Sequence, residues 1–111
     1  MRTLKFIING QIIEKDPSCD FSGLVAGTEN YLQAEFAFSD EWDGRKKAAT
    51  FWKLGREYPV PLYGDGRIVC KIPKEALTSR SFDVSVTGMH GNEFIPTNTV
   101  NVEQYINRRS M

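Results

Sequence analysis

The chain has 111 residues, and its 14 Lys+Arg balance 14 Asp+Glu, so the formal net charge is zero. A neutral chain has no global field to hold a polyanion, which argues against a general DNA or RNA binder. With 41% apolar and 12% aromatic residues the composition is that of a globular protein, and no run approaches the ~18 apolar residues of a membrane span. The length and the lack of a linker or internal repeat predict a single domain over residues 1–111. The start, Met1-Arg2-Thr3-Leu4-Lys5, does not read as a secretion signal, so an intracellular protein is expected. Cys19 and Cys70 are then expected as free thiols. With His90 they make no standard zinc spacing, so no metal is expected.

Punctuation along the chain is dense. Residues 3–8 and 11–14 flank Asn9-Gly10, a pair whose tolerance of positive φ makes it a strong hairpin signal. Residues 15–27, with Pro17, Gly23 and Gly27, read as a loop. Tyr31 to Phe38 alternates, with Leu32, Ala34, Phe36 and Phe38 on one face, and predicts a half-buried strand. Ser39-Asp40-Glu41-Trp42-Asp43-Gly44 reads as an acidic turn around an aromatic anchor. Ala48 to Leu54 predicts a second strand, with Thr50, Trp52 and Leu54 opposite Ala49 and Phe51. Tyr58 to Tyr63 is extended, and Pro59 and Pro61 confine it to a sheet edge. Gly64-Asp65-Gly66 reads as a further hairpin turn before a strand over 67–72.

Pro73 to Leu77 predicts one helical turn. Ser81 to Thr87 alternates, with Phe82, Val84 and Val86 on one side. Gly88 to Asn92 reads as a turn, 93–95 and 99–102 as short strands, and Glu103 to Arg109 as a short helix. Seven or eight short strands at this spacing predict a mainly β protein, a small antiparallel β-sandwich or barrel-like domain.

No nucleophile elbow, zinc-protease, phosphate-loop or dinucleotide motif is present, and no catalytic residues are assigned. His90 would be the natural general base, but it lies in a Gly-rich turn. Asp40, Glu41 and Asp43 lack calcium-loop spacing and read as turn caps. Arg45-Lys46-Lys47 reads as a solvated strand start, and Trp42 and Trp52 as core. Phe82 has two readings, core by its parity with Val84 or a face for a ligand. Asn92 likewise suits either a turn or a contact. Arg108 and Arg109 can clamp a diphosphate through charge-assisted bonds or favour a helix end.

The stretches from Ala34 to Gly44, Ala49-Thr50-Phe51, Ser81 to Gly88 and Ile95-Pro96-Thr97-Asn98-Thr99 together resemble small proteins of phages that infect Firmicutes, and within them the phage anti-Thoeris sponge family. The resemblance spans nearly the whole chain. It implies a β-rich protein with a C-terminal helical piece, working in the host bacterial cytoplasm and assembling as a dimer or a dimer-based hexamer. It implies no enzyme and no cofactor. The ligand would be a cyclic ADP-ribose isomer, the glycocyclic ADP-ribose made by TIR-domain proteins, and in some members also a cyclic di- or trinucleotide. Neither a nucleic-acid polymer nor a membrane is an implied partner.

Carried onto this chain, the resemblance puts Phe82 and Asn92 on the adenine, where an aromatic face supplies ~1–3 kcal/mol of stacking per base. It puts Arg56, Arg108 and Arg109 on the phosphates. Thr97 and Asn98 would add polar contacts, and Asp20 and Leu24 would close over the ribose. The Ser39 to Gly44 stretch also resembles phage structural proteins of the same hosts, so a virion module of the baseplate or head decoration is the alternative reading.

Overall fold

A computed structural model describes residues 1–106. Nine strands form: β1 (Arg2–Asn9), β2 (Ile12–Lys15), β3 (Leu32–Phe38), β4 (Lys46–Lys53), β5 (Arg56–Leu62), β6 (Arg67–Lys71), β7 (Ser81–His90), β8 (Glu93–Pro96) and β9 (Val100–Glu103). They make two sheets. One has the order β2-β1-β3-β6, the other β5-β4-β7-β8, with β9 also pairing β7. The inner faces meet in one apolar core, to which Phe6, Phe36, Phe51, Phe82, Val84 and Val86 contribute. The expected mainly β sandwich is what the chain forms.

The β1–β2 hairpin sits where Asn9-Gly10 places it, but its turn lies one residue later. Asn9 pairs with Ile12, and among the two central residues only Gly10 has positive φ, at 60°. Glycine at the first central position is the chemistry of a type II′ turn. Strand β3 keeps the expected parity, with Leu32, Ala34 and Phe36 at 2% exposure or less. It pairs with β1 in parallel, which makes the first sheet mixed. Residues 16–31 supply the long connection that a parallel pair needs.

Three punctuation signals take other roles. Gly64-Asp65-Gly66 is no hairpin, because β5 pairs β4 in one sheet and β6 pairs β3 in the other. The glycines carry the chain between sheets. Gly88 is no turn residue either, since β7 continues to His90. A Cβ on Gly88 would lie 2.7 Å from an atom of the Trp42 ring, so the strand needs glycine for close approach. The expected C-terminal helix is absent from its described part. Glu103 ends β9, and Tyr105 forms a parallel bridge to Val25. The predicted helical turn is found over Lys74–Leu77 as a 3-10 turn, and a second, not predicted, lies over Asp40–Trp42.

The basic stretch is a solvated strand start only in part: Lys46 is exposed, but Lys47 is not. The Lys47 side chain is fully buried. Its Nζ donates to Asp65 Oδ1 at 2.8 Å and to the carbonyls of Gly64 at 2.9 Å and Arg45 at 3.2 Å. Asp65 also accepts from the Gly44 N–H at 2.9 Å. The Lys47 bond, then the Gly44 bond, hold the Asp65 carboxyl below its ordinary 3.8. Arg45 reaches Glu93 at 2.7 Å. Cys19 and Cys70 are free thiols, and burial pushes Cys70 up to about 11. No helix among the described residues is long and apolar enough to cross a membrane.

Two outcomes follow. Gly88→Ala should lower the unfolding free energy by about 1–3 kcal/mol in urea titration, the usual cost of overpacking a fixed neighbour. Because the Asp65 carboxyl is lowered in the folded state, its contribution is present above 3.8 and is lost as pH falls through the lowered value. The urea midpoint should therefore fall as pH drops below about 4, and Asp65→Asn should flatten that part of the profile.

Candidate functional site

The candidate residues divide between two ends of β7. Ser81 lies at one end, against Glu103 of β9, and Asp83 lies against Trp52 of β4. His90 lies at the other, and the Gly91-Asn92 turn follows it. At ~3.3 Å per residue, Phe82 and His90 are about 26 Å apart along the strand. Phe82 and Asn92 therefore cannot hold one adenine within one chain.

Phe82 takes the core side of its two readings. It is 1% exposed, with its ring 6.4 Å from that of Phe51. Asn92 is exposed in the hairpin turn. Thr97 and Asn98 spend their polar atoms on the fold. Thr97 Oγ1 accepts from the Val86 N–H at 2.9 Å and donates to the Asn98 carbonyl at 2.8 Å. Asn98 accepts from the Ile13 N–H at 2.8 Å and donates to the Ile13 carbonyl at 3.2 Å. Its amide thus pairs the free edge of β2 as a strand would.

Asp20 and Leu24 come together in the 16–31 loop. The Asp20 carboxylate accepts from the Ser22 hydroxyl at 2.6 Å and the Ser22 N–H at 2.8 Å, and these bonds hold it below its ordinary range. Arg2 Nη2 donates to the carbonyls of Asp20 at 2.9 Å and Ser22 at 2.6 Å, which fixes the loop. Leu24 is 3% exposed and underlies a groove of about 300 Å³ whose other walls include Phe21, Gly23, Gln104 and Tyr105. That volume lies at the small end of ligand sites. Tyr105 is 69% exposed. Its backbone is clamped, with its N–H donating to Leu24 at 2.7 Å and its carbonyl accepting from Ala26 at 2.8 Å.

A second groove, of about 230 Å³, runs along Trp52, Leu54, Arg80 and Asp83, with Phe82 in its lining. It belongs to the same end, because the Gln104 N–H donates to the Arg80 carbonyl at 2.6 Å. Arg56 starts β5 on the turn that carries Leu54 and is exposed. Trp52 is not core. It lies on the outer face, its Nε1–H donating to Ser85 Oγ at 2.9 Å, which locks the indole. Arg108 and Arg109 lie outside the described residues, two and three positions past Ile106.

The sequence reading passed over Arg80, Leu54 and Tyr105. Leu54 offered a signal, since a leucine occupies a turn position that prefers Asn. At the far end, Gly44, Lys46, Met89, His90 and Gly91 line a wider space of about 420 Å³. Among the described residues no three His, Cys, Asp or Glu gather where they could hold a metal ion.

Compared with models of known protein families and with curated protein sequences, the chain matches none.

Because Phe82 fills core, Phe82→Ala should cost about 3–5 kcal/mol of stability by denaturant titration. A loss below 1 kcal/mol would move the ring out of the packed core.

Proposed function

We propose that the chain is a phage-encoded anti-defence protein that binds cyclic nucleotide immune signals, glycocyclic ADP-ribose first among them, and withholds them without degrading them. The observation that carries this reading is a convergence at one end of the sandwich. Two grooves lie there on either side of residues 79–81, lined by Leu24 and Tyr105 in one and by Trp52, Leu54 and Arg80 in the other. Arg56 stands on the adjoining turn, and the sequence continues from Ile106 to Arg108 and Arg109.

The parts suit the chemistry. A planar base gains from an aromatic or guanidinium face. A diphosphate gains from convergent arginines, whose forked donors match its oxygens. A small dianion needs only a few local cations, so zero net charge is no obstacle. The adenine contact proposed here falls on Trp52 and Leu54. Sequestration asks for affinity and for protein in excess of the signal. Nanomolar binding corresponds to about 12 kcal/mol.

Titration calorimetry with glycocyclic ADP-ribose, with ordinary cyclic ADP-ribose for comparison, tests the reading. The expected result is a nanomolar Kd at one ligand per chain, with intact ligand recovered after heat denaturation. Arg56→Ala and Arg80→Ala should each weaken binding at least tenfold, the loss of about 1.4 kcal/mol or more expected for a charge-assisted bond, and leave Tm unchanged. Degraded ligand would make the protein an enzyme. No heat from folded protein, with cyclic trinucleotides also inert, would leave the virion module as the reading.

A further inference from the structure

The edges of the two sheets are not alike. On one flank, β2 is stapled to the connection between β8 and β9. The Asn98 side chain bonds the Ile13 N–H and carbonyl, the Asn98 N–H donates to the Gln11 carbonyl at 3.3 Å, and Gln11 Nε2 donates to the Pro96 carbonyl at 3.0 Å. On the other flank, β5 is blunted by proline. Its ladder with β4 uses Tyr58, Val60 and Leu62, because Pro59 and Pro61 have no N–H to donate. The prolines therefore face outward, where they deny a further strand its donors.

Strand β6 is the exception. The Ile72 N–H donates to the Leu32 carbonyl at 3.2 Å and the Phe38 N–H to the Gly66 carbonyl at 2.9 Å. Alternation along the antiparallel ladder then turns the backbone groups of Ile68 and Cys70 toward β3, and those of Arg67, Val69 and Lys71 away from it. The N–H and C=O groups of these last residues have no partner among the described residues, and no proline interrupts them. The seam beneath this edge is also unfinished. Tyr58, Val60 and Cys70 pack against the core but are only partly buried.

We infer that β6 accepts one more strand from a protein partner, an extended acidic peptide bonded antiparallel to Arg67, Val69 and Lys71. Strand addition draws affinity from main-chain bonds and selectivity from alternate side chains. The side chains of Arg67, Val69 and Lys71 are all exposed. Lys71 has no ion pair among the described residues. Arg67 holds Glu35 at 3.1 Å through Nη1 while its side chain stays 69% exposed. Acids opposite Lys71 and Arg67 meet complementary charge. Residues opposite Cys70 and Ile68 turn inward over the seam, so they are apolar. The pattern recognised is acid, apolar, β-branched, apolar, acid. A second copy fits badly, since an antiparallel β6 pair centred on Val69 sets Arg67 against the other copy's Lys71. The inference does not use the ligand reading, because this edge runs along the flank and not at the end that carries the grooves.

Fluorescence polarisation of a labelled, capped peptide, Ser-Glu-Val-Thr-Val-Glu-Ser, with the full chain tests it. Saturable micromolar binding is expected, and the peptide with lysine for both glutamates should bind about tenfold more weakly. Lys71→Glu should weaken the acidic peptide about tenfold and bind the lysine peptide better than the native chain does. Val69→Pro removes the central outward donor without taking a ladder bond, and should abolish binding. In the native chain the acidic peptide should slow amide exchange at Arg67, Val69 and Lys71, which reads the same edge even where Val69→Pro fails to fold. No saturable binding, equal binding of the two peptides, or protection confined to other strands would overturn the inference. Slow exchange at these amides without peptide, seen only at high protein concentration, would give the edge to a second copy and overturn it as well.

Discussion

Trp42 is the side chain on which the two sheets depend. It sits on a 3-10 turn, Asp40–Trp42, between β3 of one sheet and β4 of the other. Fully buried, it stacks obliquely on Phe38 at 5.3 Å and lies where Gly88 of β7 leaves room. Its one polar atom is satisfied, Nε1–H donating to the Gly10 carbonyl at 2.8 Å. A buried indole needs such a partner, since an unpaired donor costs ~1–3 kcal/mol. Ser39 fixes the same turn from the other side, accepting from the Gly10 N–H at 3.1 Å and donating to Glu41 at 2.8 Å. The acidic stretch, which lacks calcium-loop spacing, is thus a structural joint between the sheets.

Lys47 and Asp65 repeat this logic on the second crossing. An ammonium with no exposed surface survives only if every proton has an acceptor. Here Asp65 and the carbonyls of Arg45 and Gly64 supply three, and the Phe38 ring lies 5.6 Å from the charge. The anchor draws the 64–66 loop down onto β4, so the chain leaves β5 for the other sheet.

Period-two alternation made the strands legible, because one face of each must be dry. Pro59 and Pro61 placed β5 at an edge for an equally local reason. What stayed hidden was partnership. Nothing in residues 1–38 distinguishes a parallel β1–β3 pair from an antiparallel one, since both bury the same face. Gly64-Asp65-Gly66 permits a sharp turn, yet it does not say whether the next strand stays in the sheet. Gly88 read as a turn because the demand it answers, the Trp42 ring, lies 46 positions away. The site was legible in part. Asp20 with Leu24, and Arg56 with Phe82, fall at one end, whereas Asn98 is taken by β2 through a bond that spans 85 residues.

Subtracting what folding explains sharpens the rest. Gly88, Trp42, Lys47, Thr97 and Asn98 are accounted for by contacts that hold the sandwich together. Leu54 is not. It sits at φ 50°, followed by Gly55 at φ 80°, in a two-residue turn where asparagine would relieve the left-handed strain of roughly 1–2 kcal/mol. It is also 88% exposed, so no burial offsets that cost. Tyr105 likewise holds an exposed ring on a clamped backbone, and the Arg80 side chain has no hydrogen bond or ion pair among the described residues. Strain and exposed aromatic surface that a fold does not need belong to what the fold presents. These three residues, drawn from the β4–β5 turn, the segment after β9 and the approach to β7, present themselves at the same end of the molecule, which is why the candidate site is placed there and not at the hairpin that carries the lone histidine.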